Sequence, residues 1–323
     1  MTGQSSILVT GGAGFVGSHF VHHAHETGSK VVVLDDLSGG PLPPLPRDVV
    51  FVRGDFADSA LVRSILRTHE ITAITHFAGK IQVGESVADP APYFHTNLVK
   101  TLTLLDVVVD EGPIFVFSST AAVYGAPVSI PIYESAALAP VSPYGMSKLG
   151  VEHALASYGQ AHGLRWAALR YFNAAGAHPN GRLRESHEPE THLIPLALDA
   201  GTGRRPGLTV FGTDYSTPDG TCVRDYVHVC DLAAAHLAAI DVLAAGRPVG
   251  AVNLGSGTGA SVREVLESCA RVVGRPVPHQ AGPRRDGDPP VLLAGIARAA
   301  ELLGWTPKSS LLTIIEDAFR SRA

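Results

Sequence analysis

Thr10-Gly-Gly-Ala-Gly-Phe-Val-Gly17 decides the fold, because it sets Gly11, Gly14 and Gly17 in a G-x-x-G-x-x-G spacing between two different kinds of segment. Before it lies a short β-branched run at residues 6–10. After it come a helix-length segment to about Gly28 and a second apolar run from Val31 to Leu34. The order is strand, turn, helix, strand. A glycine turn opening a helix exposes backbone N–H groups at the helix's positive end, where a pyrophosphate can sit. Asp35 ends the second strand 21 residues after Gly14. A carboxylate there can bond ribose hydroxyls and repel a 2′-phosphate, which favours NAD over NADP.

Working outward, apolar runs at about 49–53, 72–77, 113–118 and 165–170 alternate with helical spacing near 58–69, 90–111 and 142–162. Strands buried on both faces read this way, so the expectation is a Rossmann-type, doubly wound parallel sheet of the α/β class. Ligands of such sheets bind at the carboxyl ends of the strands. That places Asp55 near the adenine and His76-Phe77-Ala78-Gly79 along the cofactor. After Asn173 the texture loosens, with 175–190 and 203–223 rich in Gly, Pro and polar residues around an apolar segment at 192–200. A dinucleotide domain over 1–174 is therefore expected, followed over 175–323 by a smaller α/β domain with helices near 230–245, 261–273 and 309–320. The strand-like runs at 226–229 and 251–254 are expected to rejoin the first sheet.

Composition excludes several classes. The 323 residues are 45% hydrophobic and 17% charged, which is neither disordered, collagenous nor coiled-coil. A formal charge of −5 with no block of like charges argues against nucleic-acid and membrane partners. The N-terminus lacks a basic flank and the apolar stretch after it breaks at Gly11-Gly12, so neither a signal peptide nor a span is expected. Three cysteines, Cys222, Cys230 and Cys269, suit a reducing cytoplasm. His19, His22 and His23 have helical metal-ligand spacing, but a helix after a phosphate-binding turn packs one face on the sheet, and no metal is expected.

Chemistry is suggested by Ser142-Pro-Tyr-Gly-Met-Ser-Lys148, where Tyr144 and Lys148 lie four apart in a helical segment opened by Pro143. A phenol with a reference pKa of ~10 needs about 4 kcal/mol of differential stabilisation to act as a base near pH 7. A nearby ammonium and a positive nicotinamide are charges that supply it. The strand at 114–117 ends in Ser118-Ser119-Thr120, hydroxyls that a parallel sheet presents beside the cofactor.

The segments TGGAGFVGSH, HFAGKIQVGESV, FSSTAAVYG, SPYGMSK, LRYFNAAGAHP, ETHLIP, VFGTDYSTPDGTCVRDYVHV, NLGSG and PRRDGD carry a resemblance over nearly the whole chain. It is to the extended short-chain dehydrogenase/reductase superfamily and, within it, to the UDP-glucose (UDP-galactose) 4-epimerases. The first and fourth segments are superfamily-wide; the stretch from Val210 to Val229 and PRRDGD are more specific. The resemblance implies an isomerase that takes hydride from C4 onto bound NAD and returns it to the other face.

It implies Tyr144 as base, Thr120 as its hydroxyl partner and Lys148 as the group that tunes Tyr144 and binds the nicotinamide ribose. It further implies cofactor contacts from Gly11, Gly14, Phe15, Val16, Gly17, Asp35, Asp36, Asp55, Phe56, Phe77, Ala78, Gly79, Asn97, Ser118 and Tyr171. For the UDP-sugar it implies Phe172, Asn173, His192 and Leu193, with Arg224 and Arg285 on the diphosphate, Asp288 on the uridine ribose, Phe211 at the uracil and Leu292 by the sugar. A homodimer through the helices near 90–111 and 142–162 is also implied. Ile81 stands where many relatives carry lysine, with Lys80 one place earlier. UDP-N-acetylhexosamines or UDP-pentoses remain open as substrates, because Leu292 occupies a position where bulk decides entry of an N-acetyl group. A 4,6-dehydratase needs an acid pair after the strand-end threonine, and here Ala121-Ala122 follow Thr120.

Overall fold

The computed structural model describes residues 5–185, 189–285 and 287–322. Six parallel strands, separated by helices except for the loop between the second and third, are β1 (Ser6–Thr10), β2 (Lys30–Asp35), β3 (Val50–Arg53), β4 (Ala73–His76), β5 (Ile114–Thr120) and β6 (Trp166–Tyr171). A seventh, Gly250–Leu254, pairs in parallel with β6. The spatial order is Gly250–Leu254, β6, β5, β4, β1, β2, β3, so the winding reverses between β1 and β4. A crevice at such a reversal is where open α/β sheets bind ligands.

Alternate residues of β1 serve opposite faces. Ile7 and Val9 pack with Phe20 and Val21 of the helix Phe15–Glu26 and with Leu232 and Ile240 of the helix Val229–Ala244. Leu8 packs instead with Val62 and Ile65 of Ser59–Thr68, Leu104 of Lys100–Glu111, and Val151 and Leu155 of Pro143–His162. The continuous apolar runs of the sequence are thus strands covered on both sides. A third core gathers Ile194, Leu198, Val265, Leu266, Ile314 and Ile315 from the chain beyond Asn173.

Of the two runs expected to rejoin the sheet, Gly250–Leu254 does and 226–229 does not. Tyr226–His228 pairs with Asn173–Ala175 as a separate parallel ladder. The cause is Asp225, buried just before it, whose carboxylate accepts from the backbone N–H groups of Ser256 (2.5 Å), Gly257 (3.0 Å) and Ala294 (3.0 Å). These bonds dock the segment against the loop after Gly250–Leu254 rather than against a free sheet edge.

The helical pattern near 90–111 is also interrupted. Ala91–Tyr93 passes through a π-helical turn, Phe94–Val99, into Lys100–Glu111. Such turns recur at functional sites, and this one carries the buried Asn97.

Candidate active site

At the reversal point the glycine turn and the loop after β4 nearly touch. Gly11 has φ +72°, and a Cβ on it would lie 2.4 Å from the backbone nitrogen of Ala78. A Cβ on Gly17 would lie 2.2 Å from the carbonyl oxygen of Gly11. Gly14 is the N-cap of Phe15–Glu26, and no side chain caps that helix. The positive end of that helix therefore opens at the glycine turn, where an anion is favoured. Asp35 binds the turn itself: its carboxylate accepts from the N–H of Ala13 at 3.0 Å and of Leu37 at 2.8 Å, with acceptor sites to spare for a ribose. Asp36 is exposed and caps Ser38 at 2.8 Å. This cradle fits a dinucleotide with its pyrophosphate on the helix end.

Asp55 meets a partner that the sequence did not announce, the ammonium of Lys100 at 2.6 Å. Burial pushes this carboxyl upward, but the bond and charge of Lys100 outweigh it and hold the group below the usual range. The Phe56 ring is buried, edge-on to His76 with centroids 4.9 Å apart, so its side chain serves the core. Phe77 packs on His236 at 4.7 Å. Gly79 leaves room for Asn97, whose amide holds the loop by accepting from Lys80 N at 2.8 Å and donating to Lys80 O at 3.0 Å. His19 and His22 are taken up by the backbone carbonyls of Phe15 (2.7 Å) and Pro44 (2.8 Å).

Tyr144 and Lys148 sit in the first turns of Pro143–His162, which is capped by the Ser142 hydroxyl on Gly145 N at 3.2 Å. Burial pushes the Tyr144 phenol up, and a hydrogen bond with the Thr120 side chain pulls it down. The Lys148 ammonium is 2% exposed, donates to the carbonyl of Ser118 at 2.9 Å and lies 4.8 Å over the Phe117 ring. Burial alone lowers it to about 8. The other groups facing Tyr144 are Tyr93, edge-on at 6.4 Å and bonded to Glu85 at 2.5 Å, and Tyr171, which interacts with it electrostatically. Tyr171 is itself hydrogen-bonded to Ser118 and to His236, and His236 in turn engages the carbonyl of Leu232 at 2.8 Å.

On the far side of the cleft, Arg224 and Asp288 are each other's partners at 2.5 Å, and the Arg285 guanidinium lies 4.2 Å over the Phe211 ring. A cavity of about 510 Å³ opens here, lined by Arg285, Asp288, Tyr215 and neighbouring residues. Leu292 pairs in register with Arg224 and packs with Phe172 in a small apolar cluster with Tyr124, Ile132 and Leu149. Asn173 bonds back to Asp225 through its N–H at 2.9 Å and through its side chain to Tyr226. His192 is the N-cap residue of Leu193–Thr202, and its ring meets Glu185 at 2.8 Å and Glu190 at 3.1 Å. Burial works against the imidazolium, yet these two carboxylates hold it up to about 10. Leu193 packs on the third core.

Reading the sequence does not single out Lys100, His236 or Asp225 for these parts. Each acts across a long separation in the chain, and only Asp225, beside Arg224 in a segment already singled out, had a local marker.

A dinucleotide cradle facing a tyrosine–lysine helix and a strand-end hydroxyl defines an enzyme of the short-chain dehydrogenase/reductase class. The chain belongs to the NAD dependent epimerase/dehydratase family, whose model matches residues 7–255. It is 48% identical over 316 residues to the UDP-glucose 4-epimerase of Halalkalibacterium halodurans, covering 97% of this chain and 94% of that one. The crystal structure of the Brucella ovis UDP-glucose 4-epimerase in complex with NAD superposes with TM-score 0.94 at 47% identity, covering 98% and 97% of the two chains. That of the Bifidobacterium longum enzyme with NAD+ and UDP gives 0.92 at 36% identity, covering 98% of each.

Proposed function

We propose that this protein is an isomerase that interconverts UDP-glucose and UDP-galactose at C4 with NAD as its resident cofactor. The observation that carries the reading is the meeting of Tyr144, Thr120 and Lys148 at the carboxyl end of β5, the same edge of the parallel sheet at which the glycine cradle opens from β1. Gly11, Gly14, Gly17 and Asp35 would hold the cofactor's pyrophosphate and ribose, with Asn97, Lys148 and Tyr171 toward its other end. When bound, NAD accepts hydride from C4 and returns it to the opposite face, so turnover needs no outside reductant.

The chain's own residues supply the rest. Tyr144 removes the proton from the 4-hydroxyl and later gives it back. Thr120 holds phenol and sugar oxygen in line, and the positive charge of Lys148 favours the phenolate. Arg224 and Arg285 grip the diphosphate through charge-assisted bonds, with uracil at Phe211 and the ribose at Asp288. Phe172 and Leu292 give the hexose an apolar wall that commits to no single hydroxyl, which suits a keto sugar that must turn over while its nucleotide stays fixed. Thr120 is followed by Ala121-Ala122, so the acid pair a dehydratase would place there is missing.

Purified protein mixed with UDP-galactose alone is expected to give UDP-glucose, followed by NMR of the anomeric signals. Unchanged C4 stereochemistry in protein that carries NAD would refute the epimerase reading. We also place the enzyme in the cytoplasm as a homodimer. The helices expected to pair expose Phe94 (36%), Val99 (49%) and Met146 (45%), the three cysteines are unbridged, and among the described residues no helix is long and apolar enough to cross a membrane. Size-exclusion chromatography of the cytoplasmic fraction should find the activity at about twice 33.8 kDa. Elution as a monomer, or activity confined to membranes, would overturn that placement.

A further inference from the structure

Below Lys148 on the same helix stripe lies Glu152, giving Tyr144, Lys148 and Glu152 a spacing of i, i+4, i+8. Each reaches one of three consecutive residues at the end of β5. Tyr144 bonds the Thr120 side chain, Lys148 bonds the Ser118 carbonyl, and the Glu152 carboxylate accepts from the Ser119 hydroxyl. Glu152 and Ser119 are both buried. From β6, Arg170 closes on the same carboxylate with bonds of 2.6, 3.0 and 3.2 Å, and its remaining arm donates to Tyr124 Oη at 2.7 Å. Tyr124 donates to Asn253 on the next strand at 2.7 Å. One hydrogen-bonded line therefore ties the catalytic helix to three neighbouring strands of the sheet.

A buried ion pair is weak evidence of stabilisation, because well-packed apolar residues of similar volume often do as well or better; fixing one arrangement is its better-attested use. We infer that Ser119, Glu152 and Arg170 are positioning residues, locking the register between the Tyr144 helix and the β5 end so that Thr120 and Lys148 meet the phenol correctly. The inference rests on the catalytic roles proposed above. None of the three need touch substrate or cofactor.

Ser119→Ala is the decisive variant, since it removes one hydroxyl and leaves the Glu152–Arg170 pair charged and mutually satisfied. With cofactor-loaded protein, kcat should fall by about tenfold while KM stays within about twofold. The Tyr144 ionisation, read by ultraviolet difference titration against Tyr144→Phe, should move up by about half a pH unit or more, and the acid limb of kcat should move with it. Ser119→Thr, which restores the hydroxyl, should recover both. A merely structural role would lower the melting temperature and leave kcat and both midpoints at wild-type values, and that result would overturn the inference. Failure of the wild-type protein to epimerise UDP-galactose would instead sink the reaction proposed above. The phenol titration requires no turnover and would still decide the present point.

Discussion

Tyr144→Phe is expected to lower kcat on UDP-galactose by roughly 10²–10⁴-fold, the range over which a positioned general acid–base group contributes. The fold and the bound NAD should survive the change. The ring keeps its edge contact with Tyr93 at 6.4 Å, and what disappears is the one oxygen bonded to Thr120. A phenol buried beside few charges is a poor base, and here burial raises its pKa. The Lys148 ammonium and the oxidised nicotinamide must therefore pull it back. Burial has lowered Lys148 itself only to about 8, so it still carries most of its positive charge at neutral pH. Steady-state assay of purified Tyr144→Phe, with NAD counted by release on denaturation, tests the assignment. Wild-type turnover in the variant would remove Tyr144 from the chemistry.

Gly11→Ala should abolish NAD retention, with affinity falling by at least about 100-fold, equivalent to roughly 3 kcal/mol. The residue's φ of +72° strains any side chain, and the added carbon would meet Ala78 N at 2.4 Å and the Phe77 carbonyl carbon at 2.8 Å. Both are backbone atoms, with no flexible end to swing away. The loop after β4 would have to leave the glycine turn, opening the crevice that holds the cofactor. Gly28→Ala is the matched control: φ is +93° but nothing lies within 4 Å of the added carbon. It should lose about 1 kcal/mol of stability and keep its NAD. Cofactor content and thermal melts of the two variants decide the matter. A Gly11→Ala protein that purifies with full NAD would show that the close approach does not shape the site.

These two sites were legible in the sequence for the same reason: their information is local. Gly11, Gly14 and Gly17 lie within one turn of chain, and Tyr144 and Lys148 lie within one turn of helix, so spacing alone puts them together. The strands of the main sheet were legible because a run covered on both faces has no polar alternation to hide it. The short run at Tyr226–His228 pairs with Asn173–Ala175 rather than the main sheet because three residues carry too little pattern to name a neighbour, and Asp225's bonds to Ser256, Gly257 and Ala294 choose the partner. Arg224 and Asp288, which pair across 64 positions, could be drawn together only through the family resemblance. On charge alone, 284–288 reads as a solvated turn. Glu152 stood one helical turn past a residue already singled out, but a carboxylate at that spacing is ordinary on an exposed helix. What makes it exceptional is Arg170 on the adjacent strand, and strand adjacency is a property of the folded sheet.

Arg224 and Asp225 are consecutive, yet their side chains take different partners, one reaching Asp288 and the other the backbone amides of Ser256, Gly257 and Ala294. They behave as a strut with a claw at each end. The single peptide between them fixes the spacing of the two claws, so the short strand that presents Arg224 to Asp288 cannot shift without straining the three amides that hold Asp225.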